Sequence, residues 1–158
     1  MKSRFAFDTS ALVSLGHSGL LEFIFETCEI ITTSSVVDEL TEISQRDDED
    51  AGSASDWLKR IAGMTVVPVV DEIKEVFAEL DVAVVCEKLD IPIVSDDIKA
   101  IKKFDENIAS LFSVHIIYLL VKKNVISSQR GIFAIEKMRK SRDWKNNLIY
   151  TIGRSLFD

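Results

Sequence analysis

Short apolar runs alternate along the chain with segments in which apolar residues recur three and four positions apart. An apolar run bounded by turn residues is typical of a buried strand, whereas the wider spacing is typical of one face of a helix. The runs predict strands at 5–7, 29–32, 64–69, 91–95 and 108–112. The spaced segments predict helices at 9–15, 20–25, 36–44, 53–61, 71–89, 98–104, 114–123, 129–139 and 144–156.

The order of these elements indicates the fold class. Strands alternate with helices along most of the chain, which is typical of an α/β protein with a mostly parallel sheet and helices on both faces. We therefore expect a three-layer α/β/α architecture. The chain has no internal repeat and no linker-like segment, so we expect a single domain over residues 1–158. The polar, acidic segment 46–52 is predicted to be a solvated loop.

Composition limits the classes of protein that fit this chain. With 158 residues, of which 47% are hydrophobic, the chain can bury a core, and its apolar runs are too short to span a bilayer. The first residues lack the apolar region of a signal peptide, which predicts a cytoplasmic protein without a membrane partner. Cys28 and Cys86 lack the paired neighbours of a zinc site, so we expect two buried thiols.

The charges of the chain are distributed unevenly. Its net charge of −7, taken alone, argues against a nucleic-acid partner. Residues 1–98, however, hold 7 basic and 21 acidic residues, whereas residues 99–158 hold 12 basic and 5 acidic residues. Such asymmetry indicates a charged partner, although solvated basic helix faces would produce the same pattern.

Four acidic residues stand next to apolar segments at corresponding places in the predicted α/β units. They are Asp8, Glu39, Asp81 and Asp96. A carboxylate in such a position is costly to remove from water unless a positive charge compensates it. Because the carboxyl ends of parallel strands meet at one edge of a sheet, we expect Asp8 and Asp96 to be neighbours there. The helical Glu39 and Asp81 are expected to point into the same crevice.

Four carboxylates in one crevice would repel each other, and a hard divalent cation such as Mg²⁺ or Mn²⁺ would remove that repulsion. The hydroxyl of Ser10, two residues after Asp8, is placed to hold one of the acids, and Asp97 is a further candidate ligand. Each acid also has a simpler interpretation. Asp8 and Asp97 suit helix starts. Glu39 and Asp81 suit solvent-facing positions on helices.

These acids and their neighbours resemble the motifs of the PIN-domain family. That family opens with an apolar strand, an Asp and a Thr/Ser pair, and continues with a Glu early in a helix. Later it has an acidic pair at a helix start and an apolar strand followed by Ser-Asp-Asp. The matching segments here are Phe5-Ala6-Phe7-Asp8-Thr9-Ser10, Val36-Val37-Asp38-Glu39, Glu79-Leu80-Asp81-Val82-Ala83 and Val94-Ser95-Asp96-Asp97. The resemblance covers residues 4–126 and depends on the order and spacing of all four motifs.

The resemblance implies a function. PIN domains are metal-dependent nucleases that usually act on RNA; many prokaryotic members are toxins held by an antitoxin protein, and many form homodimers. By match, the catalytic and metal-binding residues would be Asp8, Glu39, Asp81 and Asp96, with Asp97 as an additional ligand and with Ser10 and Glu79 in supporting roles. The cofactor would be Mg²⁺ or Mn²⁺, and the reaction would be hydrolysis of an RNA phosphodiester bond by metal-activated water.

Basic and aromatic residues complete the prediction. Lys99, Lys102 and Lys103 follow the fourth motif and are expected to contact RNA phosphates. Later basic residues extend this set, unless they form an ordinary solvated helix face; they are Lys137, Arg139, Lys140, Arg142 and Lys145. Phe133 and Trp144 have apolar neighbours at helical spacing, so we expect them in the core rather than in a stacking platform for bases.

Two other functions compete with this one. A phosphatase of the haloacid-dehalogenase type would need an Asp two residues after Asp8, where this chain has Ser10. A degenerate PIN-like module would keep the fold and bind RNA or a protein partner without catalysis. Loss of cleavage in an Asp8→Asn variant would favour the enzyme, and absence of cleavage by the unmodified protein would favour the module.

Overall fold

A computed structural model describes residues 1–69, 78–145 and 147–158, and all of their side chains except those of residues 78 and 79. The strands are β1 (Ser3–Phe7), β2 (Cys28–Thr33), β3 (Thr65–Val67), β4 (Ile93–Val94) and β5 (Ser110–Leu111). The helices are α1 (Thr9–Gly16), α2 (Leu21–Thr27), α3 (Ser34–Ser44), α4 (Glu49–Leu58), α5 (Ala78–Leu89), α6 (Ile98–Ile101), α7 (Ser113–Lys122), α8 (Ser128–Ser141) and α9 (Leu148–Ser155), and a short 3₁₀ helix covers Ile61–Gly63.

The strands form one parallel sheet, and its topology positions the site. The strand order is β3-β2-β1-β4-β5, and every pairing is parallel. The chain runs from β1 outward to β2 and β3, and then returns to β4 and β5 on the other side. Such a reversal leaves a crevice at the carboxyl ends of β1 and β4. Helices flank the sheet in a three-layer α/β/α fold, which confirms the predicted fold class.

The last two residues of β1 and both residues of β4 are apolar and buried without alternation, as expected when both faces of a parallel sheet are covered. Phe7, Ile31 and Ile93 are at most 1% exposed. Trp57 on α4 is also fully buried, and its indole nitrogen donates to the main-chain oxygen of Leu12, 2.5 Å away. This hydrogen bond ties α4 to α1 inside the core.

Two aromatic residues in the second half of the chain are predicted to lie in the core, but the structure places them in different environments. Trp144 is buried, although it precedes α9, which begins at Leu148 rather than at residue 144. The prediction for Phe133 is wrong, because 66% of its surface is exposed. The buried positions of α8 are 131, 134, 135 and 138, and residue 133 falls on the opposite face of that helix.

Helix caps explain two boundaries that differ from the predictions. Asp48 accepts a hydrogen bond from the amide of Ala51 and starts α4 at Glu49, within the segment predicted to be a loop. Thr33 caps α3, which therefore begins at Ser34, earlier than predicted. In both cases a side-chain oxygen satisfies an amide of the first turn, which stabilises the helix start.

Three further expectations concern larger parts of the chain. Residues 71–77, the first part of the helix predicted at 71–89, lie outside the described residues. The remaining part of the predicted helix, residues 78–89, is α5. None of the described helices has both the length and the hydrophobicity needed to cross a membrane. Cys28 and Cys86 are free and buried, as predicted, and burial raises the pKa of their thiols to about 11 and about 12.

Candidate functional site

Asp8 directly follows β1 and caps α1. Its Oδ1 accepts hydrogen bonds from the amide of Ala11 at 3.0 Å and from the hydroxyl of Ser10 at 2.7 Å. The residue is only 2% exposed. Burial raises the pKa of Asp8 to about 7, and the hydrogen bonds that its carboxylate accepts oppose this rise without cancelling it. A cation at this carboxylate would therefore compete with a proton near neutral pH.

Two serine hydroxyls join Asp8 to the segment after β4. Ser95 Oγ donates to Asp8 Oδ2 and accepts from the amide of Asp97 at 3.1 Å. Ser10 Oγ, which donates to Asp8, accepts from the amide of Asp96 at 2.9 Å. The ends of β1 and β4 are therefore connected by side chains at the place where the topology makes them neighbours.

Asp96 and Asp97 hold the starts of two helices. Asp96 Oδ1 accepts from the amide of Ser113 at 2.8 Å, and its Oδ2 accepts from the hydroxyl of Ser113 at 2.6 Å. Burial raises the pKa of Asp96, while the hydrogen bonds from Ser113 act in the opposite direction. Asp97 caps α6 by accepting from the amide of Ala100 at 3.0 Å. Negative charge is favourable at both helix starts.

A cleft of about 250 Å³ lies beside Asp8. Three of the predicted site acids line it, namely Asp8, Glu39 and Asp97, and Ser10 lines it as well. Glu39 on α3 accepts a hydrogen bond from the hydroxyl of Thr9, the residue after Asp8. This contact connects α3 to the end of β1, so that acids distant in the sequence border one cavity.

The same cleft contains an ion pair that sequence reasoning did not place in the site. Asp50, in the first turn of α4, accepts from Arg142 Nη1 at 2.9 Å and contacts His17 Nε2 at 2.8 Å. Although burial acts to raise it, the pKa of Asp50 is held below its usual value by the His17 hydrogen bond and the Arg142 charge. Asp50, Arg142 and Arg46 all line the cleft. Asp50 and Arg142 are 92 residues apart, so no local pattern connects them.

Asp81 lies in a different environment from the acids of the cleft. It is 4% exposed, and its Oδ2 accepts from the hydroxyl of Ser35 at 2.6 Å. It lines a second cavity, beside the end of β3. The four acids expected to converge are therefore divided, because Asp8 and Glu39 border one cavity, Asp81 borders another and Asp96 lines neither. The side chain of Glu79 lies outside the described residues.

The oxygen donors of the cleft fit a hard cation of the Mg²⁺ type. Across residues 1–69, 78–145 and 147–158, no group of three or more acidic, His or Cys side chains forms a ready-made metal site. Mg²⁺ does not require one, because it keeps several waters and is usually held by one or two carboxylates together with substrate phosphates. Asp8 and Glu39 offer two such carboxylates on one cavity. Ser10 and Ser95 donate hydrogen bonds to Asp8, and Thr9 donates one to Glu39, so these hydroxyl groups would orient the carboxylates as ligands.

The lysines predicted to contact RNA follow Asp97 closely. Lys99 is part of α6, Lys102 ends that helix, and Lys103 comes next. All three residues are exposed. Since the cap residue of α6, Asp97, lines the cleft, these lysines form a basic segment that follows it directly in the chain.

No protein-family model matches this chain, and no curated protein matches it either. The resemblance to PIN domains therefore depends on the four motifs, and the function has to be argued from the cleft and its residues.

Proposed function

We propose that this protein is a Mg²⁺- or Mn²⁺-dependent ribonuclease of the cytoplasm that hydrolyses phosphodiester bonds in RNA. One observation carries the proposal: Asp8 and Glu39 border one cleft at the switch point of a parallel sheet. Open α/β sheets bind their ligands at this place. The resemblance to PIN domains supplies the class of reaction, and two carboxylates on one cavity are the donors that such a reaction needs from the protein.

The residues of the cleft would act as ligands and as positioning groups. Asp8 and Glu39 would hold the ion, with Asp97 as the third candidate ligand. The hydroxyls of Ser10 and Ser95 would keep the Asp8 carboxylate in place. When bound, the ion supplies positive charge for the phosphate oxygens and lowers the pKa of a water molecule. No protein nucleophile is required for this chemistry.

The other two predicted ligands have weaker support than Asp8 and Glu39. Asp96 does not line the cleft that Asp8 and Glu39 border, and Asp81 borders another cavity. Their assignment as ligands therefore remains a prediction from the family resemblance.

RNA is the proposed substrate because basic charge accompanies the cleft. The exposed residues Lys99, Lys102 and Lys103 follow Asp97, and residues 99–158 carry most of the basic side chains of the chain. Contacts between such side chains and phosphates supply much of the affinity for nucleic acids. An antitoxin partner and a homodimer are implied by the family resemblance alone and stay predictions.

A cleavage assay with matched variants tests the proposal. Glu39→Gln removes a charge from the cleft, whereas Asp38→Asn removes one from an exposed neighbour on the same helix that does not line it. With single-stranded and structured RNA and with Mg²⁺ or Mn²⁺, we expect Glu39→Gln to lower the cleavage rate by about 100-fold or more, because a charge needed in the transition state is lost. Asp38→Asn should stay within about twofold of the unmodified protein.

Cleavage that persists in EDTA, or that Glu39→Gln and Asp8→Asn both retain, would refute the metal-dependent mechanism. If the unmodified protein binds these RNAs and cleaves none of them, the non-catalytic module is the better account.

A further inference from the structure

We infer that Arg142 binds a phosphate group of the RNA in this cleft and that Asp50 holds the Arg142 side chain in place. This role rests on the proposed function, because it assigns a substrate contact to the same cleft. The sequence pattern placed Arg142 only in a general basic run, whereas the structure places its guanidinium among the acids of the site.

The guanidinium of Arg142 is only partly used by the protein itself. Its Nη1 donates to Asp50 Oδ2 at 2.9 Å. Its Nε is buried and has no hydrogen-bond partner among the described residues. Most buried polar groups are paired, and a buried N–H without a partner is unfavourable because it has lost its hydrogen bonds to water. A ligand that accepts a hydrogen bond from Nε would remove this cost.

The position of Arg142 is fixed by the fold. The residue ends α8 and lines the cleft together with Asp8 and Glu39. Its side chain is only 23% exposed, so it is not an ordinary solvated surface cation. Asp50, on α4, uses one oxygen for Arg142 and the other for His17. Asp50 is therefore held from two sides and in turn restricts the orientation of the guanidinium.

A phosphate group is the ligand that suits this arrangement. The Nε and Nη2 atoms of a guanidinium form a planar fork that matches two oxygens of a phosphate. Asp50 occupies Nη1, which leaves that fork for a ligand. The acids of the cleft repel a phosphodiester, and the charge of Arg142 would offset part of this repulsion within the cleft.

The alternative is a purely structural salt bridge between α8 and α4. In that case Arg142 would contribute to stability, but ligands would leave its Nε–H group unchanged. The two accounts differ in what RNA and phosphate do to that one group.

The ¹H–¹⁵N signal of the Arg142 Nε–H group tests this role directly. The protein carries Asp8→Asn so that RNA stays intact, and the signal is assigned by its absence from the spectrum of the Arg142→Lys variant. Inorganic phosphate and a short single-stranded RNA are titrated separately with Mg²⁺ present and with ionic strength held constant by sodium chloride. We expect a saturable shift of this signal with both ligands.

Affinity measurements on matched variants provide a second readout. Arg142→Met should weaken RNA binding by about 10-fold or more, and Arg142→Lys, which keeps the charge, should also weaken it because the fork is lost. The control Arg154→Met removes a partly exposed arginine that pairs with Glu136 and does not line the cleft, so its affinity should stay within about twofold. Asp50→Asn should weaken binding, and Asp50→Glu should restore part of it.

The outcomes separate this role from the proposed reaction. A ligand-dependent shift together with weaker binding by Arg142→Lys supports the role even if no RNA is cleaved. If neither ligand moves the signal and Arg142→Lys binds RNA as its parent does, the role is refuted even for an active ribonuclease. Unchanged binding by Asp50→Asn would refute the positioning by Asp50.

Discussion

Hydroxyl and amide groups surround the carboxylate of a single residue, Asp8. The hydrogen bonds from Ser10, Ser95 and the amide of Ala11 favour its ionised form, but burial opposes ionisation more strongly and raises the pKa to about 7. A shift of this size corresponds to about 4 kcal/mol between the two protonation states. Without a cation, the folded protein therefore bears an electrostatic cost at neutral pH that metal binding would remove.

Replacing Asp8 with Asn should stabilise the metal-free protein in a pH-dependent way. Because the folded pKa lies above the unfolded value of 3.8, protonation of Asp8 stabilises the fold fully below that value. This contribution is lost as the pH rises through about 7. Relative to the unmodified protein, we expect Asp8→Asn to gain on the order of 2–4 kcal/mol at pH 8 and almost nothing at pH 4.

Urea unfolding in EDTA across this pH range measures that difference. Asp38→Asn, at an exposed position, is the control and should follow the unmodified protein at every pH. Parallel stability curves for Asp8→Asn and the unmodified protein would show that Asp8 is not a costly buried charge.

Residues that follow a strand directly were the easiest to place from the sequence. Asp8 and the segment Ser95 to Asp97 come immediately after parallel strands, so chain connectivity alone brings them to one edge of the sheet. Asp81 is on a helix, and its direction depends on how that helix packs, which the sequence pattern did not determine. The pair Asp50 and Arg142 depends on the docking of α8 near α4, which leaves no local signal.

At the element scale, the close approach of α1 and α4 brings Asp50 to the cleft. Ser53 on α4 donates to the main-chain oxygen of Val13 on α1 at 2.7 Å. A Cβ atom added at Gly16, the last residue of α1, would lie 1.8 Å from Ser53 Oγ and 2.8 Å from Ser53 Cβ. The two helices therefore pack at a distance that only a glycine at this position allows.

Two glycine-to-alanine substitutions should have opposite effects on stability. We expect Gly16→Ala to destabilise the protein by about 1–3 kcal/mol, because α4 has to move away from α1. Gly52 is an exposed residue within α4, and an added Cβ would meet nothing within 4 Å. Gly52→Ala should therefore stabilise the protein by about 0.5–1 kcal/mol. Denaturant unfolding measures both values, and a change of the same sign in both variants would contradict this account of the helix contact.

The types of the elements were predictable because the period of apolar residues and the cap residues are local signals. Some element boundaries and the buried face of α8 were not predictable from such signals. The start of α4 was missed because an acidic segment reads equally well as a loop and as a capped first turn. Phe133 was misplaced because apolar neighbours alone do not determine which face of α8 is buried.

At the scale of the whole molecule, the acidic first part supplies the cleft and the basic last part supplies charge around it. The exposed lysines after Asp97 adjoin the carboxyl end of β4. Lys123 instead lies at the amino end of β1, where its Nζ donates to Ser3 Oγ at 2.9 Å, and Lys122 precedes it as the last residue of α7. The molecule thus offers two lysine groups at different distances from the site.

The salt dependence of RNA binding should distinguish these two lysine groups. The logarithm of a protein's affinity for single-stranded nucleic acid falls linearly with the logarithm of the salt concentration, with a slope of about 0.7 per neutralised phosphate. Replacing Lys99, Lys102 and Lys103 with Gln should weaken binding and reduce the slope by up to about 2. Replacing Lys122 and Lys123 with Gln should leave the slope unchanged. Equal effects of the two sets would show that RNA binds without regard to the cleft.

Anomalous diffraction from Mn²⁺-soaked crystals would show whether a divalent cation binds between Asp8 and Glu39. We expect an anomalous peak in the cleft, within coordination distance of both carboxylates, that Asp8→Asn crystals lack. A peak only at Asp81, or no peak in the cleft at saturating Mn²⁺, would rule out metal binding by this pair.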